Sequence, residues 1–194
     1  MIRGNEHIIV IFGMARSGTT VFTHVLGQHH KICIFHNVHN YENSFVFERR
    51  HQRIEKIVSK SDKRVIFKRP WSESMVGFYL EHMPDAYYIA MLKPFEMINE
   101  SWKKSTWTDN LWGMTDEERR ARFDLHTEYL DHYRGKVKLK TVDYTRFVAK
   151  PDETIGEVCD FLGLLNYRRV GKEFKPVFDT SMVRPGGGWS FLGN

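Results

Sequence analysis

The sequence predicts an α/β fold, a three-layer α/β/α arrangement around a central parallel sheet. Two observations carry this. Short apolar runs alternate along the chain with longer helical patterns, which is the signature of βαβ units with helices on both faces of a sheet. The first apolar run also passes through a glycine-rich turn directly into a helix-like segment, His7-Ile8-Ile9-Val10-Ile11-Phe12 leading through Gly13 to Val21-Phe22-Thr23-His24-Val25-Leu26.

Taken in order, residues 8–12 read as the first strand and residues 19–28 as the helix after it. Residues 32–35 form a short second strand. A charge-rich helix, solvated on one face, spans 42–59, and a third strand at 64–68 is stopped by Pro70. Ser72-Glu73-Ser74 has N-cap character for a helix ending near residues 83–84. The run at 86–92 is the strongest strand, and it leads through Lys93-Pro94 into a helix reaching about residue 104. A turn-like stretch at 106–115 precedes a helix whose first turn carries Asp116, Glu117 and Glu118. A last strand is expected at 136–141. The last helix, at 151–162, opens on Pro151 and stops at Gly163. The tail Arg184-Pro185-Gly186-Gly187-Gly188-Trp189 reads as loop.

At 194 residues the chain reads as a single domain over 1–194 with room for a real core. Hydrophobic residues at 41% and charged residues at 27% are the balance of a soluble globular protein. A net charge of +5 fits nucleic acid, a polyanionic substrate or a phosphorylated cofactor equally. The lack of a long Lys/Arg block or an aromatic–basic repeat argues against nucleic acid. Cys33 and Cys159 are too few for a disulfide framework or a zinc site, so a reducing, cytoplasmic setting is expected. The apolar run at 8–12 is too short for a secretory or membrane-spanning segment.

The chemistry concentrates in Gly13-Met14-Ala15-Arg16-Ser17-Gly18-Thr19-Thr20. A strand, a glycine-rich turn and a helix N-terminus make an anion site, because unpaired N–H groups and the helix dipole converge there. The two glycines have the spacing of a phosphate-binding P-loop, which makes the expected fold P-loop NTPase-like. Where an ATPase carries lysine, however, this chain has Thr19, and the positive charge stands three residues upstream at Arg16. In a parallel sheet, ligands bind at the carboxyl ends of the strands. Gly13, Lys68, Lys93 and Asp143 all fall at such ends.

The segment Arg16-Ser17-Gly18-Thr19-Thr20 resembles the 5′-phosphosulfate loop of sulfotransferases that use 3′-phosphoadenosine 5′-phosphosulfate. A second segment is similar to the family's 3′-phosphate site, with Lys93 at a strand end and Ser101 eight residues later on the next helix. Lysine stands there in place of the usual arginine, which keeps the charge but loses the bidentate fork. The late segment around Val142-Asp143-Tyr144 and the tail Arg184 to Trp189 also look like family elements. The resemblance spans about residues 7–189. It implies that Ala15, Arg16, Ser17, Gly18, Thr19, Thr20, Lys93, Ser101, Tyr144, Arg184, Gly186 and Gly187 bind the cofactor, with 3′,5′-adenosine bisphosphate as product and no metal.

The resemblance further implies sulfuryl transfer to a hydroxyl, or less directly an amine, of a small-molecule or saccharide acceptor. Such transfer benefits from a general base. Asn37 stands where a family glutamate aligns, so His36, His39 and Glu42 are the candidates, and either histidine reads equally as a loop residue bonded to backbone. Lys68 resembles the family's strand-end lysine, with a role at the transferring group, or is a surface lysine. Two other readings stay open: a P-loop nucleotide or small-molecule kinase, and a nucleotide-binding module without catalysis. Arg119, Arg120 and Arg122 read as a solvated helix face, and Trp102, Trp107 and Trp112 as core and loop packing.

Overall fold

A strand with no polar residue at alternate positions can be stable only if both of its faces are covered. Ile8–Gly13 (β1) is such a strand, buried at all six positions. It occupies the middle of a five-stranded parallel sheet with β2 (Ile32–Ile34), β3 (Arg64–Pro70), β4 (Tyr87–Leu92) and β5 (Lys138–Asp143), in the order β2-β3-β1-β4-β5. The computed structural model describes residues 4–34, 55–56, 58–70, 81–104 and 114–164.

Among the described residues the strands are accompanied by α1 (Thr19–Leu26), α2 (Phe95–Lys103), α3 (Asp116–Tyr133), α4 (Tyr144–Ala149) and α5 (Pro151–Phe161). The period of two in β1 divides the core. Ile9 and Ile11 pack with Phe22, Val25 and Leu26 of α1, Phe147 of α4 and Val158 of α5. Ile8, Val10 and Phe12 face the other way, toward Val58, Met83 and Leu130 of α3. The result is the expected three-layer arrangement. Register places Gly13 opposite both Pro70 and Met91, and Leu92 opposite Asp143, so the carboxyl ends of β3, β1, β4 and β5 open on one side.

Three expectations need correction. The last strand starts at Lys138 and runs to Asp143, because Arg134 to Val137 are used in the turn that follows α3. A short helix, α4, follows at once, since the Asp143 carboxylate accepts the Arg146 N–H and caps it. Arg119 is not on a solvated face: it is buried beneath α2, while Arg120 and Arg122 are exposed as expected. Of the helices expected at 42–59 and 72–84, most residues lie outside those described, as does most of the 106–115 turn. Among the described residues no helix is long and apolar enough to cross a membrane.

At the opposite end of the sheet, His29 is buried between α1 and β2. Its Nδ1 accepts the Lys31 N–H at 3.1 Å and its ring stacks on His30 at 4.7 Å. Nδ1 is therefore the acceptor of a neutral ring, and protonating it would break that bond. Burial, then the charges of His30 and Lys31, push the His29 pKa down. A depressed folded-state value means the unfolded chain binds the extra proton first, so this contribution is complete above about pH 6.5 and is lost as pH falls below it. His29→Asn should flatten the loss of stability between pH 7.5 and 5.5, read as urea midpoints. Identical slopes in the variant and the parent would exclude this role for His29.

Candidate functional site

The loop between β1 and α1 can form only where side chains are missing. A Cβ on Gly13 would stand 2.7 Å from the Met91 carbonyl oxygen of β4 and 2.7 Å from Ser17 Oγ. A Cβ on Gly18 would stand 2.3 Å from Cδ2 of Tyr144. Gly18 also has φ +93°, a left-handed conformation open to glycine at little strain. Arg16 adopts the left-handed region as well, at φ 73°, without glycine's freedom, a strain of about 1–3 kcal/mol for a residue of its kind. Tight turns of this sort persist at sites where the surroundings hold them in place.

The surroundings here hold the loop by its carbonyls. The Met14 carbonyl accepts the Ser17 N–H at 3.0 Å, and the Gly18 carbonyl accepts the Phe22 N–H at 3.1 Å. The Ala15 carbonyl accepts the indole N–H of Trp102 at 3.3 Å, and the Arg16 carbonyl accepts Lys93 Nζ at 3.2 Å. The amides of Gly18, Thr19 and Thr20, at the N-terminus of α1, have no acceptor among the described residues. The Ser17 hydroxyl, fully buried, likewise has no partner among them. With these four carbonyls occupied and the three amides free, this stretch offers more free donors than acceptors, and it suits an anion.

Three cations converge on this point. Arg16 Nε donates to Ser101 Oγ of α2 at 3.0 Å, and Lys68 Nζ donates to Thr20 Oγ1 at 2.9 Å. Lys93 Nζ lies 4.6 Å from the centre of the Tyr144 ring. Among the described residues neither Arg16 nor Lys93 forms an ion pair. Burial pushes the Arg16 pKa down, and burial followed by the Arg16 charge does the same to Lys93. Both remain cations near neutral pH, and a bound anion would relieve each of them. Tyr144, buried beneath Gly18, has its phenol pushed up by desolvation.

The structure thus brings together Ala15, Arg16, Ser17, Gly18, Thr19, Thr20, Lys68, Lys93, Ser101 and Tyr144. His36, His39, Glu42, Arg184, Gly186 and Gly187 lie outside the described residues. Asp143, at the end of β5, is used as the cap of α4, and hydrogen bonds from Thr145 and from the Arg146 amide hold its carboxyl below the usual range. Sequence reasoning missed Trp102, whose indole reaches the loop. The signal was available: Trp102 adjoins Ser101, so any helix that brings Ser101 to the loop brings its neighbour close.

No protein-family model matches the chain, and no curated protein does either. Solved structures do. A sulfotransferase from Alicyclobacillus acidocaldarius superposes with a TM-score of 0.55 at 17% identity, covering 87% of this chain and 86% of that one. The fold is that of the sulfotransferases, P-loop-like. A second sulfotransferase, mouse SULT7A1 complexed with PAP, gives 0.58 at 13% identity over 84% of this chain and 61% of its own. The fold extends to kinases: deoxyadenosine kinase from M. mycoides with bound dCTP gives 0.53 at 16% identity, covering 80% and 98%.

In this sulfotransferase-like fold the loop's close packing is directly testable. Gly18→Ala should destabilise the protein by about 2–4 kcal/mol, from positive φ and from collision with the Tyr144 ring. Tyr144→Leu should recover the steric part, so the double variant should lose less than the two single losses added together. Urea denaturation of the four proteins reads this, and simple additivity would show that Tyr144 does not set the requirement for glycine.

Proposed function

We propose that this protein is a sulfotransferase that moves a sulfuryl group from 3′-phosphoadenosine 5′-phosphosulfate to a hydroxyl, or an amine, of a small-molecule or saccharide acceptor. The observation that carries the reading is the position of positive charge: Arg16 in the loop and Lys93 across β4, with Thr19 at the place where a P-loop kinase needs lysine. The residues fit a nucleotide with two separate phosphates. The free amides of Gly18 to Thr20 and the buried Ser17 hydroxyl form a cradle with no room for a Cβ at either glycine.

When bound, the donor supplies a sulfuryl group already joined to a phosphate leaving group. The protein's part is positioning and charge stabilisation. Loop amides and the Thr19 and Thr20 hydroxyls hold the 5′-phosphate. Arg16 would offset the negative charge that grows on the bridging oxygen, and Lys68, held at Thr20, would neutralise the transferring group. Lys93 and Ser101 take the 3′-phosphate, assisted by Arg184, Gly186 and Gly187, while Tyr144 supports the nucleotide beside Lys93. His36, His39 or Glu42 accepts the acceptor's proton. These three follow β2, and in a parallel sheet the chain leaves β2 on the same side as the loop.

Two measurements test the reading. The bisphosphate 3′,5′-adenosine bisphosphate at 100 times its dissociation constant should stabilise the protein by about 2.7 kcal/mol, read as a rise in Tm, with no rise for ATP with Mg²⁺. Stabilisation by ATP with Mg²⁺ alone would favour a kinase and sink the proposal. Arg16→Ala should slow hydrolysis of the donor by about 100-fold or more, while Lys60→Ala on the surface leaves it unchanged. A donor hydrolysed at the same rate by parent and Arg16→Ala would leave a binding module rather than an enzyme.

A further inference from the structure

The loop is held from outside by α2, and α2 is held in turn by α3. Arg119 of α3 is only 8% exposed, and its guanidinium is bonded on every side. Nε donates to Asn99 Oδ1 of α2 at 2.7 Å, Nη1 to the Met114 carbonyl, and Nη2 to Asp116 Oδ1. The second Asp116 oxygen accepts Asn99 Nδ2 at 3.0 Å and Lys103 Nζ at 2.6 Å, both from α2. Arg119, Asn99 and Asp116 therefore close a ring of hydrogen bonds across the two helices. The guanidinium carbon also lies 5.9 Å from the centre of the Trp102 ring. Hydrogen bonds from Lys103, Asn99 and Arg119 hold the Asp116 carboxyl at about 2, so the ring stays charged at any working pH.

The same helix meets the site. Ser101 and Trp102, directly after the turn that carries Asn99, bond to Arg16 and to the Ala15 carbonyl. Met14, Ala15, Ile98 and Trp102 form one buried cluster, with Phe123 of α3 packed against it. At nine residues α2 is too short to be stable without tertiary support. Exposed pairs elsewhere on these helices, such as Arg120 with Asp124, contribute little. A buried arginine is different, because removing it strands the Asn99 and Asp116 groups that it serves.

We propose that Arg119 is a positioning residue for the phosphate loop, acting through Asn99 and Trp102 to hold α2 where it grips Ala15 and Arg16. Its hydrogen bonds go to Asn99, the Met114 carbonyl and Asp116, and among the described residues none goes to the loop. The proposal rests on the sulfotransferase reading for the identity of the anion, and not for the way the loop is held.

The test compares Arg119→Met, Trp102→Phe, the double variant and the exposed control Arg134→Met, whose ion pair with Asp131 does not reach α2. Amide hydrogen exchange of residues 14–18 is measured in the ligand-free protein, with β1 and β4 as internal reference, and the affinity for 3′,5′-adenosine bisphosphate is measured by calorimetry. Arg119→Met should speed loop exchange and weaken bisphosphate binding by about tenfold each, with β1 and β4 still protected and Arg134→Met unaffected. Because the effect passes through Trp102, the double variant should lose little more than the larger single loss. Unchanged loop exchange in Arg119→Met, or losses that multiply in the double variant, would overturn the proposal. If Arg119→Met does not fold, Trp102→Phe decides alone: it keeps a ring but lacks the donor to Ala15, and normal loop exchange there would also overturn it. A parent protein that ignores the bisphosphate refutes the functional reading instead, and loop exchange still decides the role of Arg119.

Discussion

The site depends on two side chains that are not there. At Gly13 the backbone is pressed against the Met91 carbonyl, and at Gly18 against the face of Tyr144. This close approach turns the chain sharply enough for the amides of α1 to face one small volume. It also brings the loop's carbonyls within reach of β4 and α2, where Lys93 and Trp102 tie them down. A turn with larger residues would move out of register with both neighbours, and its peptide dipoles would no longer point the same way. Preorganised donors of this kind hold an anion without reorganising when it arrives.

Charge follows the same logic. Partial burial penalises both Arg16 and Lys93, and the Arg16 charge adds to the penalty at Lys93, as the lowered pKa of each reflects. Asp143 ends a neighbouring strand, but its Oδ1 accepts both the Arg146 N–H and the Thr145 hydroxyl and so is turned to the start of α4. The positive potential at the strand ends is thereby left for a ligand. The ion network of Arg146 with Glu153 and Glu157 is tied up between α4 and α5.

Much of this was legible in the residues. The continuous apolar run before Gly13 fixes a buried strand, and the glycine spacing fixes the turn, because both are local effects of backbone sterics. Lys93 and Ser101 could be paired because a strand end and the helix after it have a set spacing. Other features were not local. The start of β5 was misplaced because a turn after a long helix has no periodicity to read. Arg119 was misread because three arginines in a helix look alike until a second helix covers one of them. Arg120 also reaches Glu96 and Phe95 of α2, but from an exposed position, and only burial and the closed ring through Asn99 separate Arg119 from it. Trp102 had a signal in its place beside Ser101, but tryptophan in a core and tryptophan bonding a carbonyl leave the same mark in a sequence.

The strand order carries a consequence for synthesis. The loop lies near the start of the chain, but every group that shapes it comes later: Lys68, Met91, Lys93, Ser101, Trp102 and finally Tyr144. A chain emerging from the ribosome at about 5–20 residues per second exposes the loop first and its floor last. Until Tyr144 and the helix it begins are out, the glycines have nothing to pack against and the amides no fixed direction. The loop's donor geometry therefore waits for residue 144, and a truncated product that stops before it carries the motif without the finished turn.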